Sequence, residues 1–224
     1  MQQQTTAASQ PVAGLQAIDL CCMRGARRLF RGLSLSLQAG QALRVQGANG
    51  SGKTTLLRTL AGLSTPAQGQ ILWQGQPLAR CREAYAASML YLGHAAALSD
   101  DLLAWENLVY GARLHGHGLS RDAALQLLAA QGLGRVAQLP ARLLSQGQRK
   151  RLALARLHDG AARTLWLLDE PLNALDQPAV QALCASARAH LAGGGMLVYT
   201  SHQELALADA ATLTLAQPGA GVAA

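Results

Sequence analysis

Aromatic side chains make up only 4% of the 224 residues, charged ones only 14%, and lysine is scarcer still, with Lys53 and Lys150 the only two in the chain. Half the residues are nonetheless hydrophobic, which excludes a wholly disordered chain and leaves room for one or two domains with a buried core. The net charge of +7 is spread along the sequence. Basic character alone fits nucleic acid, an anionic membrane surface or bound phosphates about equally. No Lys/Arg stripe with interleaved aromatics is present, so no nucleic-acid groove is expected. No window approaches about eighteen consecutive apolar residues, and the chain is not expected to cross a membrane by itself. The cysteines Cys21, Cys22, Cys81 and Cys184 lack CxxC spacing, and the opening MQQQTTAASQ has neither a basic nor an apolar leader region. A cytosolic protein with reduced thiols is the expectation.

Residues 1–14 and 217–224 read as a mobile arm and a flexible tail around one domain, 15–216. Alternation across Leu33, Leu35 and Leu37 predicts a half-buried strand in an antiparallel layer within Leu15–Leu37, and Ile71–Leu78 reads as two short strands around Gly75. Thr164–Leu168 and Met196–Thr200 are apolar without alternation, as in a central parallel sheet covered on both faces. Helical period appears in Thr54–Leu63, in Arg121–Ala130 behind Ser120, in Arg149–Leu157 and from Pro178 to the glycines at 193–195. The expected fold class is α/β: a mixed central sheet, an antiparallel β layer and an inserted helical lobe at about 85–156.

Three segments carry chemistry. Gly47-Ala48-Asn49-Gly50-Ser51-Gly52-Lys53-Thr54 fits the phosphate-loop pattern GxxxxGK[ST] between a predicted strand, Ala42–Gln46, and a helix. Its backbone N–H groups and the helix dipole would cradle phosphates, Lys53 would meet the β and γ phosphates, and Thr54 would offer a hydroxyl to Mg²⁺; Thr55 follows in the same turn. Thr164–Pro171 is an apolar strand ending in two carboxylates. Alone it fits a strand meeting a solvated turn equally well. Beside a phosphate loop, Asp169 is expected to reach Mg²⁺ and Glu170 to orient and deprotonate a water. In Leu144–Gln148, Ser145 and Gln148 form a capping box, and the same hydroxyl, Gly147 and free N–H groups could make a second anion site.

With the Asn173–Asp176 loop and Thr200-Ser201-His202, these motifs stand in the order found in the nucleotide-binding subunit of ATP-binding cassette transporters, which the chain resembles from about Leu15 to Leu215. The resemblance implies the P-loop NTPase cassette fold and an ATPase working as a head-to-tail homodimer. ATP and Mg²⁺ would lie between one copy's phosphate loop and the other's Ser145 and Gly147. His202 would contact the γ-phosphate and link it to Glu170, and Asp176 would line the dimer seam.

Two positions depart from the family pattern. Arg24 falls where an aromatic usually stacks on adenine; a guanidinium can stack on a base, and a solvated arginine is an equally open reading. His94 falls where a glutamine usually senses Mg²⁺ and the attacking water, the other reading being a core histidine satisfied by backbone. LYLGH, RLHG, LWQGQPL, LALARL and GGM look like the haem exporter ATP-binding subunit of the cytochrome c maturation system. That resemblance implies a peripheral protein on the cytoplasmic face of a bacterial inner membrane, bound to integral membrane permease subunits that it energises. Those partners would sit on the lobe near His94–Asn107.

No CxxCH and no axial pairing among the six histidines is evident, so direct haem binding is not expected; His115 and His117 read as solvated surface or a partner contact. The alternative is the ATPase subunit of another ABC importer or exporter. A cassette acting on chromosomes or ribosomes is disfavoured, because the 92 positions from Lys53 to Ser145 leave no room for a coiled-coil arm.

Overall fold

The computed structural model describes residues 14–159, 163–207 and 209–216. The expected arm, apart from Gly14, and the expected tail lie outside the described residues. In chain order the elements are β1 (Leu15–Arg24), β2 (Arg27–Leu37), β3 (Ala42–Gly47), α1 (Lys53–Leu60), β4 (Gln68–Trp73), β5 (Gln76–Pro77), α2 (Arg82–Ser88), β6 (Met89–Leu92), α3 (Ala104–Leu114), α4 (Arg121–Ala130), α5 (Gln146–Ala155), β7 (Leu165–Asp169), α6 (Gln177–Ala192), β8 (Met196–Thr200) and β9 (Ala211–Leu215).

They form two sheets. An antiparallel sheet has the order β2-β1-β4-β5, and a parallel sheet has the order β6-β7-β8-β3-β9. The apolar strands of the second sheet divide their residues by parity. Leu165, Leu167, Met196 and Val198 face a core shared with α1 and the antiparallel sheet, while Trp166, Leu168, Leu197 and Tyr199 face α6 through Leu183, Cys184 and Ala187. Because β7, β8 and β3 are neighbours running the same way, their carboxyl ends meet at one edge, the place where open α/β sheets bind ligands.

The helical lobe has its own core of Leu108, Leu128, Leu133, Leu144 and Leu152. Helix α5 belongs to both sides: Leu152 and Ala155 pack in the lobe, and Leu154 packs beneath the sheet. The lobe begins later than the expected position near Tyr85. Tyr85 is buried in the first core with its hydroxyl donating to Leu60 O at 2.6 Å, and Met89–Leu92 pairs with β7 as the edge of the parallel sheet. This strand is too short for its period to separate it from the helices beside it.

Smaller differences have local causes. Helix α1 stops at Leu60, before the expected Leu63, because Gly62 takes φ +71° and terminates it. Helix α5 starts at Gln146, as the capping box of Ser145 and Gln148 requires, three residues before the periodic stretch that begins at Arg149. Leu15–Leu37 is two strands joined by a turn at Gly25 rather than one.

Candidate functional site

The phosphate loop leaves the end of β3 and enters α1. Gly47 has φ +149°, and a Cβ there would lie 2.7 Å from both Leu215 O and Ser51 Oγ, so only glycine fits. Gly52 takes φ +104° against Leu29 and Phe30. The side chain of Lys53 is buried, and its Nζ donates to Gly47 O at 2.8 Å and to Ala48 O at 3.4 Å. A point charge is thereby held on the concave side of the loop.

From the neighbouring strand ends comes a hydrogen-bonded chain. Thr54 Oγ1 donates to Asp169 Oδ2 at 2.9 Å, Thr200 Oγ1 donates to Asp169 Oδ1 at 2.7 Å, and Glu170 N donates to Thr200 Oγ1 at 2.8 Å. Asp169 is 1% exposed, so its charge depends on these donors. Glu170 sits in the left-handed region at φ +47°, a strained conformation for a residue with a Cβ. Its Oε1 lies 3.7 Å from His202 Nε2, and its Oε2 is buried without a hydrogen-bond partner. Glu170 lines a cleft, and its carboxylate keeps acceptor capacity that the protein itself does not use.

The cleft is about 460 Å³, within the range of small-molecule sites, and is lined by Arg24, Leu29, Asn49, Gly50, Gly52, Lys53, Thr54, Thr55, His94, Glu170, Asn173 and His202. His94 is exposed there, which overturns its reading as a core histidine. Arg24 is exposed at the same cleft, on the side of Leu29.

Ser145 Oγ accepts from Gln148 N at 3.2 Å, and Gln148 Oε1 accepts from Ser145 N at 2.9 Å. Both Ser145 and Gln146 are exposed, so the capped end of α5 faces solvent. These residues do not line the cleft of Lys53 in the same chain. Gly147 packs against the Asn173–Asp176 loop, where a Cβ would meet Ala174 O at 2.9 Å. Asp176 is exposed and caps α6 through Oδ1, which accepts from Ala179 N.

His117 is not the solvated residue that its loop suggested. Its Nε2 lies 3.3 Å from Asp159 Oδ1, beside the fork of Arg163 on the same carboxylate. Two residues given no role from sequence stand at the centre. One is Thr200, the bridge between the two carboxylate positions. The other is Lys150, whose Nζ donates to Asp169 O at 3.5 Å. Burial lowers the Lys150 pKa, against the opposing pull of the Asp169 and Glu170 charges. Its signal was the rarity of lysine, since both lysines of the chain approach this edge.

The sequence profile described as ABC transporter matches residues 30–173. The cytochrome c biogenesis ATP-binding export protein CcmA of Aromatoleum aromaticum is 49% identical over 85% of this chain and 89% of its own length, and that of Pseudomonas aeruginosa is 46% identical over 90% and 98%. Among solved structures, an ABC transporter ATP-binding protein from Pyrococcus furiosus aligns with TM-score 0.77 at 22% identity, over 91% of this chain and 98% of its own. The dimeric structure of a bacterial ABC transporter cassette aligns with TM-score 0.78 at 20% identity, over 90% and 94%. No helix among the described residues is long and apolar enough to cross a membrane.

Proposed function

The chain belongs to the ABC transporter family, and from that premise we propose that it is the ATP-hydrolysing subunit of a complex handling or exporting haem in c-type cytochrome biogenesis. The observation that carries the chemistry is the meeting of Gly47–Thr55, Asp169, Glu170 and His202 at one sheet edge. The relatives at 46–49% identity are named as export proteins of cytochrome c biogenesis, which favours this reading over the ATPase subunit of another importer or exporter.

In this mechanism the N–H groups of Gly47–Thr55 and the Lys53 ammonium hold the triphosphate. The Thr54 hydroxyl and Asp169 carboxylate, already adjacent, fit Mg²⁺ as oxygen ligands; when bound, the ion neutralises charge on the β and γ phosphates. Glu170 orients a water and takes its proton as the water oxygen attacks the γ-phosphorus and the bond to the β-phosphate oxygen breaks. His202 bridges Glu170 and the γ-phosphate, His94, which lines the same cleft, senses Mg²⁺ and the water, and Arg24 stacks on the base. The exposed Ser145 and the half-buried Gly147 and Gln148 of a second copy close over the phosphates. Hydrolysis reopens the homodimer and moves integral membrane permease subunits seated on the lobe near His94–Asn107. That places the chain peripherally on the cytoplasmic face of the inner membrane, with the haem on its partners.

Two measurements test this. Extraction in mild detergent from a host making c-type cytochromes is expected to recover the chain with integral membrane subunits that carry haem; recovery with a haem-free permease of another transporter would overturn the assignment. Lys53→Ala is expected to weaken ATP binding by about 10- to 100-fold, the worth of a hydrogen-bonded charge. Unchanged affinity by titration would remove the phosphate-loop reading.

A further inference from the structure

A buried arginine behind the cleft takes no direct part in the chemistry above. Arg44 lies in the middle of β3, between Leu43 and Val45, and its side chain is only 9% exposed. Its Nη1 donates to Glu204 Oε1 at 2.6 Å, its Nη2 donates to His202 O at 3.0 Å, and its Nε reaches Ser201 O at 3.4 Å. A charge in the interior strand of a sheet is costly unless its donors are met. Here all three nitrogens of the fork meet acceptors on one short segment.

That segment needs such a support. After β8 the chain from Ser201 to Leu207 is neither helix nor strand, so no ladder fixes its path. The Ser201 hydroxyl accepts from Gln203 N at 3.0 Å and tightens the turn locally, but does not tie it to the phosphate loop. Arg44 does, because β3 ends at Gly47, and the same strand therefore sets both the cradle and the carbonyl of His202. The 3.7 Å between His202 Nε2 and Glu170 Oε1 leaves little tolerance for drift of that backbone.

We infer that Arg44 is a positioning residue that clamps the His202 turn to the strand bearing the phosphate loop. Its planar fork suits two backbone carbonyls and a carboxylate at once, which a flexible ammonium matches less well. Glu204 closes the fork from the solvent side, its side chain being 76% exposed. The inference rests on the roles proposed for His202 and Glu170.

The test uses the full chain, with its histidines labelled with ¹⁵N and the His202 ring signal assigned by its loss in His202→Ala. Arg44→Gln, which keeps an amide donor but loses the fork, is expected to move the His202 signal toward its position in Glu170→Ala. It should also lower kcat for ATP about tenfold while KM stays within about twofold. Arg44→Lys should recover part of both. If Arg44→Gln does not fold, Glu204→Gln should still shift the His202 signal in the same direction and by less. An unmoved signal in a folded variant, or a rise in KM with kcat unchanged, would overturn the inference. The ring signal is read without turnover, so a chain inactive toward ATP would sink the proposed function and leave this question decided on its own.

Discussion

ATP turnover by the Glu170→Gln chain is expected to fall by about 10²- to 10⁴-fold, the usual range for loss of a general base, with ATP binding retained. The amide has nearly the shape of the carboxylate, so the strand end, the φ of +47° and the bond from Glu170 N to Thr200 Oγ1 survive. What disappears is the capacity of the carboxylate to take a proton from water, in a group whose Oε2 has no hydrogen-bond partner within the protein. The residues expected to bind nucleotide, Gly47–Thr55, are untouched. Phosphate release at saturating ATP, paired with nucleotide titration, separates the two quantities. Full activity in this variant would remove Glu170 from the role of base.

The second large effect concerns stability. Asp159→Ala is expected to cost about 3–5 kcal/mol, because it strands a buried guanidinium. Asp159 and Arg163 are each 3% exposed and share two hydrogen bonds of 3.0 and 3.1 Å, while His117 approaches the same carboxylate. Arg156 is close enough to Arg163 for their like charges to add to burial in lowering its pKa, so loss of the carboxylate leaves two cations facing each other. For a chain of this size the melting temperature should drop by on the order of 10 °C. Asp101→Ala provides the contrast. Its partner Arg142 is 55% exposed and Asp101 itself 90%, and removing that pair should cost less than about 1 kcal/mol. Equal losses in the two variants would show that the buried pair contributes no more than an exposed one.

The parts legible from sequence share a property: each is set by residues adjacent in the chain. A phosphate loop needs glycines where a Cβ would strike backbone, as at Gly47, and a helix cap needs Ser145 and Gln148 three positions apart. Strands covered on both faces announce themselves by unbroken apolar runs, as in β7 and β8. What depends on distant pairing was not legible. His117 reads as a loop residue until Asp159 is brought against it, and Met89–Leu92 reads as helical until β7 pairs with it. His94 admitted two readings because its neighbours do not decide whether it faces a core or a cleft. Arg44 shows a need in the sequence without showing what meets it. A charge between Leu43 and Val45 in a central strand requires partners, and the sequence does not name which of its acidic or carbonyl groups supply them.

The double allegiance of α5 has a mechanical result. Its C-terminal part is pinned beneath the sheet by Leu154, whereas the solvent-exposed Ser145 lies at the other end, about 13 Å away along the axis. A lever with its fulcrum at one tip magnifies small rotations: a tilt of about 10° at Leu154 carries the serine hydroxyl through roughly 2 Å. That travel exceeds what separates a hydrogen bond from none, so in the proposed homodimer a slight rocking of the lobe would suffice to engage or release the other copy's phosphate.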